Sequence, residues 1–432
     1  MRSISPITAH QKIHPIIRRH WRAGLAVLAG LLVVILATAP WQGSTARQPT
    51  ADGAASSQPA TGGSAAPATP PGAAAPKQSA PAAVAVNRPI DLTTPGKTKM
   101  PWPAKGQTAI GVVGVGNFGH SGRQVSIPTA SVAKAMTAYL ILKHHPMNTH
   151  SQGPVLHVSY QEARAFNHQV ALGQSLVPVR SGEALTERQA LQALMLASAD
   201  NMAQILGRWD AGNVPAFLKM MNAEARNLGM LHTRYTDPSG YDKRTHSTAE
   251  DQMKLAAAAL RLPSFQQITS QKTAVIPVAG KIKNFNALLG EPGVVGIKTG
   301  SMSAAGGCLS FAAKQKVGGR TVTIVGTVLG QRSGQIGDLH QAFVSSHNLL
   351  AAARHALKPV KIIKKGQVVS GVPGSRSVLI ATRNVTIPGW AGMVVQSQIT
   401  ASVKPGATNG SYVGWLKVGT VGSTPLAVTN PA

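Results

Sequence analysis

From Gly43 to about Ala85 the chain consists almost entirely of Ala, Pro, Gly, Ser and Thr. A segment of that composition cannot bury enough apolar surface to offset the entropy of ordering it, so it reads as a disordered tether. This stretch divides the 432 residues into a short head and a long body and confines any packed core to the body. Hydrophobic patterning returns near residue 98, so we place the tether at 43–97. The 43 residues from Gly43 to Ala85 span roughly 35–40 Å r.m.s. as a flexible chain.

The head has two parts. Residues 1–22 carry Arg2, Lys12, Arg18, Arg19 and Arg22 and no acidic residue. Residues 23–41 form an uncharged apolar run centred on Leu31-Leu32-Val33-Val34-Ile35-Leu36, long enough to cross a bilayer as a helix. The preceding positive charge puts residues 1–22 in the cytoplasm and the rest outside. A cleaved signal peptide ending at Ala37-Thr38-Ala39 is the rival reading. Pro40 fits poorly as a first mature residue, so a membrane anchor is preferred. Both readings export the body.

Lys and Arg number 42 against 14 Asp and Glu, a formal charge of +28. That excess attracts polyanions, with anionic wall polymers and lipid headgroups as the fitting partners. No zinc-finger, RNA-binding or basic-heptad pattern accompanies it, so nucleic acid is not an expected partner. Cys308 is the single cysteine, which excludes an internal disulfide and a multi-thiolate metal site. No metal and no cofactor are expected.

Within 98–357, Thr108 to Val115 and Arg123 to Ile127 read as strands joined by a Gly/Asn turn. The stretch Gly114-Val115-Gly116-Asn117-Phe118-Gly119 formally matches a dinucleotide fingerprint. It lacks the acidic residue about 20 positions on, and Pro128 follows too soon for a helix. A helix is expected from Ser131 to about His145. Thr186-Glu187-Arg188-Gln189 is a capping box opening a second helix, Ala190 to Ala197. A polar kink follows at Ser198-Ala199-Asp200-Asn201, and a further helical piece starts at Met202. Residues 214–228 form an amphipathic helix capped by Gly229. Gly293 to Gly300, Gly307 to Lys314 and Arg320 to Leu329 read as strands, and Ile336 to Leu357 as a closing helix. Helices inserted between an N-terminal hairpin and late strands suggest an α/β (α+β) body with an antiparallel sheet flanked by helices. From 358 to 432 the pattern is short strands (Val360 to Val369, Ser377 to Ala381, Met393 to Val403, Tyr412 to Val418), a small all-β domain with eight Lys/Arg and no acid.

Ser131 and Lys134 are three residues apart, so on a helix the hydroxyl and amine share a face. A serine beside an amine that can take its proton is an activated nucleophile. Ser198 in the kink and Lys298-Thr299-Gly300 at a strand end complete the ordered set S-x-x-K, S-x-x, K-T-G, 67 and 100 residues apart. The flanks Ile127-Pro128-Thr129-Ala130, Gly296-Ile297, Ala305-Gly306-Gly307-Cys308-Leu309, Asp237-Pro238-Ser239-Gly240 and Ser247-Thr248-Ala249-Glu250-Asp251 agree. Over about 98–357 the chain resembles the low-molecular-weight serine D-alanyl-D-alanine carboxypeptidases of the penicillin-binding, serine β-lactamase-like superfamily. The β-rich tail resembles the C-terminal domain that many members carry.

The resemblance implies a serine β-lactamase/transpeptidase-like fold and an acyl-enzyme on Ser131, with peptidoglycan stem peptides as substrates and β-lactams as inhibitors. Lys134 would accept the Ser131 proton, if burial and a neighbouring cation lower its pKa. Ser198 would relay a proton to the leaving amine. Lys298 and Thr299 would hold the substrate's terminal carboxylate. Gly300 would let the substrate backbone lie close. The backbone N–H groups of Ser131 and Ser301 would form an oxyanion hole, worth roughly 3–4 kcal/mol per donor. One position departs from the family's S-x-N. Asp200 stands there and Asn201 follows, so either Asn201 takes the amide role after a small shift or Asp200 fills it. An ionised carboxylate has no N–H to donate, and Asp200 beside Lys134 or Lys298 would raise a lysine pKa. D,D-endopeptidase, β-lactamase and non-catalytic wall-binding protein stand as alternatives. No glutamate is placed as a lactamase deacylating base: Glu224 lies mid-helix and Glu250 in a carboxypeptidase-like segment. His144, His145 and His246 read as surface or structural residues.

Overall fold

The structure, a computed structural model, describes residues 82–430. The basic segment 1–22, the apolar run 23–41 and the tether up to residue 81 lie outside the described residues. Among the described residues no helix is long and apolar enough to cross a membrane.

The centre of the body is a five-stranded sheet in the order Val294–Met302, Gly306–Val317, Arg320–Gln331, Gln107–Val112, Gly116–Ser121. Every neighbouring pair is antiparallel. Its strands alternate between two cores, as the two-residue period of a strand dictates. Ala109, Cys308, Ala312, Val325 and Leu329 face a helical layer containing Met136, Leu140, Leu191, Leu206 and Leu255. Ile110, Leu309, Phe311, Ile324 and Val328 face the helix Asp338–Ala356 through Leu349 and Leu350. The second core runs on without a break into Ile363, Leu379, Ile399 and Leu416 of the β-rich tail. Cys308 is fully buried against the helical layer, in the first core, as a small apolar side chain, and burial pushes its thiol pKa up to about 12.

Local signals account for most element ends. The capping box at Thr186 forms and opens the helix Glu187–Met195. The helix Val214–Asn227 is followed by Gly229 at a φ of 68°. Gly318 and Gly319 carry the turn between Gly306–Val317 and Arg320–Gln331, both at positive φ, as a two-residue hairpin of primed type requires.

Several expectations need correction. The second strand is Gly116–Ser121, not Arg123 to Ile127. The turn is the short Val113-Gly114-Val115, and the glycines beyond it belong to an edge strand whose Phe118 stacks on Trp390. The formal fingerprint is therefore part of a β-hairpin, not a strand-to-helix turn. Ser131 lies in a 3₁₀ turn, Ala130–Ala133, and the α-helix begins at Lys134, because Ala130 takes a φ of 47° that no α-helix admits. The helix after Ser198 begins at Asp200, not Met202. The expected strand Val360 to Val369 is two, Lys358–Ile363 and Val368–Gly371. Val385–Gly389, Gly422–Thr429 and a hairpin, Thr273–Ile276 with Gly280–Lys283, are additional.

The largest correction concerns the tether. Residues expected to be disordered up to 97 include a strand, Val84–Thr93, paired antiparallel with Val394–Val403 along its whole length. It forms one edge of a six-stranded sheet whose other members all come from the tail. The signal was present as alternating Val84, Val86, Ile90 and Leu92, interrupted by Pro89. Proline is tolerated because an edge strand has one N–H row that needs no partner. Val86 is 4 % exposed in the second core. Val86→Asp is expected to destabilise the protein by at least about 2 kcal/mol, lost valine burial plus a desolvated carboxylate. Thermal melting checks this. A melt unchanged from wild type would show the strand to be dispensable.

Candidate active site

The turn bearing Ser131 is wedged between two backbones. Ile127 and Pro128 pair with Ser247 and His246, which fixes the approach to the turn. Gly240, at a φ of 80°, lies against it so closely that a Cβ there would stand 1.9 Å from the Ala130 carbonyl oxygen. On the other side a Cβ on Gly300 would stand 3.0 Å from Ser131 N and 3.1 Å from Val132 N. Gly300 thus lets the strand approach the Ser131 turn itself, a different reason for glycine from the one expected. Ala130 and Ser198 are the non-glycine residues at positive φ among the described residues, and both adjoin predicted site positions. Such strain persists where surrounding packing over-determines it.

Lys134 is fully buried at the first position of the helix Lys134–His144. Its Nζ donates to Ser131 Oγ at 2.8 Å, to Asp200 Oδ1 at 2.5 Å and to the Ser239 carbonyl at 2.9 Å. Burial lowers its pKa, and the Asp200 carboxylate opposes that shift without reversing it. The ion pair is sealed, with side-chain exposures of 0 % and 6 %. Removing either partner of such a pair costs about 3–5 kcal/mol, because the other charge is left uncompensated.

Lys298 is also buried, its Nζ donating to the Thr299 carbonyl at 3.1 Å. Burial and then the positive Lys134 drive its pKa well below the ordinary lysine value, with Asp200 opposing. An anion bound near it would supply the counter-charge that it lacks.

The pair at 200 and 201 is now distinguished. Asp200 Oδ2 accepts from the Ser175 amide at 3.0 Å, so both of its oxygens are engaged. Asn201 turns away from Lys134: its side chain donates to the Val177 carbonyl at 2.8 Å and accepts from the Val177 amide at 3.3 Å. Asp200 therefore occupies the place that S-x-N gives to asparagine.

A cleft of about 210 Å³ opens over Ser131 and is lined also by Asp200, Ser301, Ser175, Tyr241 and Met302. Of the predicted residues it brings together Ser131, Asp200 and Ser301, with Lys134 reached through its bonds to the first two. Ser198, Thr299 and Lys298 are not among its lining residues and are buried, at 5 %, 5 % and 1 % exposure. The sequence reading gave no role to the loop 237–241, whose Ser239 carbonyl is a Lys134 acceptor. Asp237 builds that loop by accepting from Ser239, Tyr241 and Thr245. The Asp-Pro-Ser-Gly turn composition was the available signal. Ser175 and the Tyr241 hydroxyl, which donates to the Leu172 carbonyl at 2.7 Å, had none. Among the described residues no group of His, Cys, Asp or Glu is arranged to hold a metal ion.

The family profile for D-alanyl-D-alanine carboxypeptidase matches residues 120–332. A D-alanyl-D-alanine carboxypeptidase of Streptomyces sp. strain K15 is 33% identical over 222 residues, 48% of this chain and 73% of that protein. The chain belongs to the D-alanyl-D-alanine carboxypeptidase family. A D-alanyl-D-alanine endopeptidase of Pseudomonas aeruginosa is 30% identical over 191 residues, 42% of this chain and 58% of that protein. The crystal structure of the Streptomyces K15 DD-transpeptidase superposes with a TM-score of 0.51 at 27% identity, covering 59% of this chain and 98% of that one. The fold is thus the penicillin-binding serine hydrolase type, with the β-rich tail as a further part. In this carboxypeptidase-family member the S-x-x-K and K-T-G motifs converge as expected, while the middle motif ends in a carboxylate.

Proposed function

We propose that this serine peptidase removes the terminal D-alanine from peptidoglycan stem peptides through an ester on Ser131. The observation that carries the reading is Lys134 Nζ, buried and within 2.8 Å of Ser131 Oγ, with its pKa lowered by burial. The neutral amine takes the Ser131 proton as Oγ attacks the penultimate D-alanine carbonyl. The peptide C–N bond breaks as the leaving amine gains a proton, for which Ser198 is the relay. Water then hydrolyses the ester and restores Ser131. Lys298 and Thr299 receive the terminal carboxylate, which offsets the buried positive charge. The N–H groups of Ser131 and Ser301 hold the developing oxyanion, brought close by Gly300.

β-Lactams, whose strained amide meets the same serine, are the expected inhibitors. The apolar run 23–41 and the basic residues before it support an exported body tethered to the membrane, and the acid-free tail supports contact with anionic wall polymers.

Fluorescent penicillin should label the protein on the peptide containing Ser131, and a stem pentapeptide should yield free D-alanine. Cleavage of a cross-linked dimer instead would make it an endopeptidase, the name its Pseudomonas relative bears. Rapid loss of the label would make it a β-lactamase. Neither label nor D-alanine release would leave a wall-binding protein.

A further inference from the structure

We propose that Asp200 is a positioning residue for Lys134, holding the ammonium form and thereby setting the pH above which Lys134 can act as base for Ser131. This rests on the acyl-enzyme reading above and adds a role for the carboxylate that the S-x-N pattern does not contain. Asp200 is 4 % exposed. Oδ1 meets Lys134 Nζ at 2.5 Å, Oδ2 accepts from the Ser175 amide at 3.0 Å, and the Asp200 amide donates to the Ser175 carbonyl at 2.6 Å. An ionised carboxylate with both oxygens occupied has nothing to donate to a substrate carbonyl. Asn201 does not replace it, because both ends of its amide are committed to Val177.

The charges facing Lys134 come from three packed elements. Asp200 reaches it from the helix Asp200–Ala211, Asp237 from the loop beneath Ser239, and Lys298 from the strand Val294–Met302. Uncharged partners are Ser131 Oγ and the Ser239 carbonyl. Among the described residues, only Asp200 places a charge in contact with Nζ. The Asp237 oxygens are taken by its own loop. The base form of Lys134 is the neutral amine, and a touching carboxylate favours the ammonium. Acylation therefore begins at a higher pH than it would beside a neutral amide.

The test is the pH dependence of acylation by fluorescent penicillin, with Asp200→Asn in the full chain. Asparagine keeps the size and an acceptor for Ser175 but removes the charge. The acid limb of the second-order acylation rate is expected to move to lower pH by about 1–3 units, the usual effect of one adjacent opposite charge. Asn201→Ala loosens the same loop without changing charge and should leave the limb in place. Should Asp200→Asn fail to fold, Asp200→Ser removes the same charge and must move the limb in the same direction. An unmoved limb, a shift to higher pH, or an equal shift in Asn201→Ala overturns the inference. A raised KM for pentapeptide with an unmoved limb would make Asp200 a substrate contact instead. Wild-type protein that penicillin never labels defeats the acyl-enzyme reading itself, whereas labelled wild type with an unmoved variant limb defeats only the role of Asp200.

Discussion

Ser131→Ala is expected to abolish both D-alanine release and penicillin labelling while leaving the protein folded. Loss of the nucleophile in a serine hydrolase lowers turnover by about six orders of magnitude, so residual activity should fall to background. The folded state loses one hydrogen bond, from Lys134 Nζ to Ser131 Oγ. Lys134 retains Asp200 and the Ser239 carbonyl, so the buried charge stays compensated. The stability change should stay within about 1 kcal/mol. Turnover, labelling and melting temperature measured on one preparation separate the two effects. Release of D-alanine at a tenth of the wild-type rate or more would show that Ser131 is not the nucleophile.

Gly240→Ala should damage both stability and acylation, although residue 240 carries no functional group. Alanine at a φ of 80° is strained, and its Cβ would stand 1.9 Å from the Ala130 oxygen and 2.6 Å from the Ala130 carbonyl carbon. Both are backbone atoms, so no side chain can swing aside. Either the loop bearing the Ser239 carbonyl or the turn bearing Ser131 must shift. We expect a loss of more than about 2 kcal/mol, the range of backbone strain with overpacking. Acylation should fall about 100-fold, as a displacement near 1 Å in a catalytic group produces. Gly229→Ala is the control: its φ is 68° and a Cβ there meets nothing within 4 Å, so it should carry only the conformational cost. Equal melting temperatures and acylation rates for the two variants would rule out the wedge as the support of the Ser131 turn.

The parts legible in the sequence are those governed by short-range rules. The Thr186 capping box and the paired spacing of Ser131 and Lys134 each depend on residues within one turn of each other, and each is found where expected. The edge strands were harder. Val84–Thr93 hid at the end of a Pro/Ala-rich tract, and Gly116–Ser121 looked like a turn, because an edge strand buries little and is not obliged to be hydrophobic. No local pattern announces a partner some 300 residues away, such as Val394–Val403.

The sequence alone determined the ordered motifs, and through them the family, because S-x-x-K and K-T-G are specified by residue type and spacing. Tertiary structure decided which of Asp200 and Asn201 meets Lys134. The two differ by one position, about 100° around a helix axis, so only the packing of that helix against the Ser131 turn and the loop at 175–177 separates them. It also decided the environment of Lys134. Burial, an adjacent carboxylate, a second lysine and a backbone carbonyl converge on one nitrogen from segments far apart in the chain, and their balance exists only in the fold.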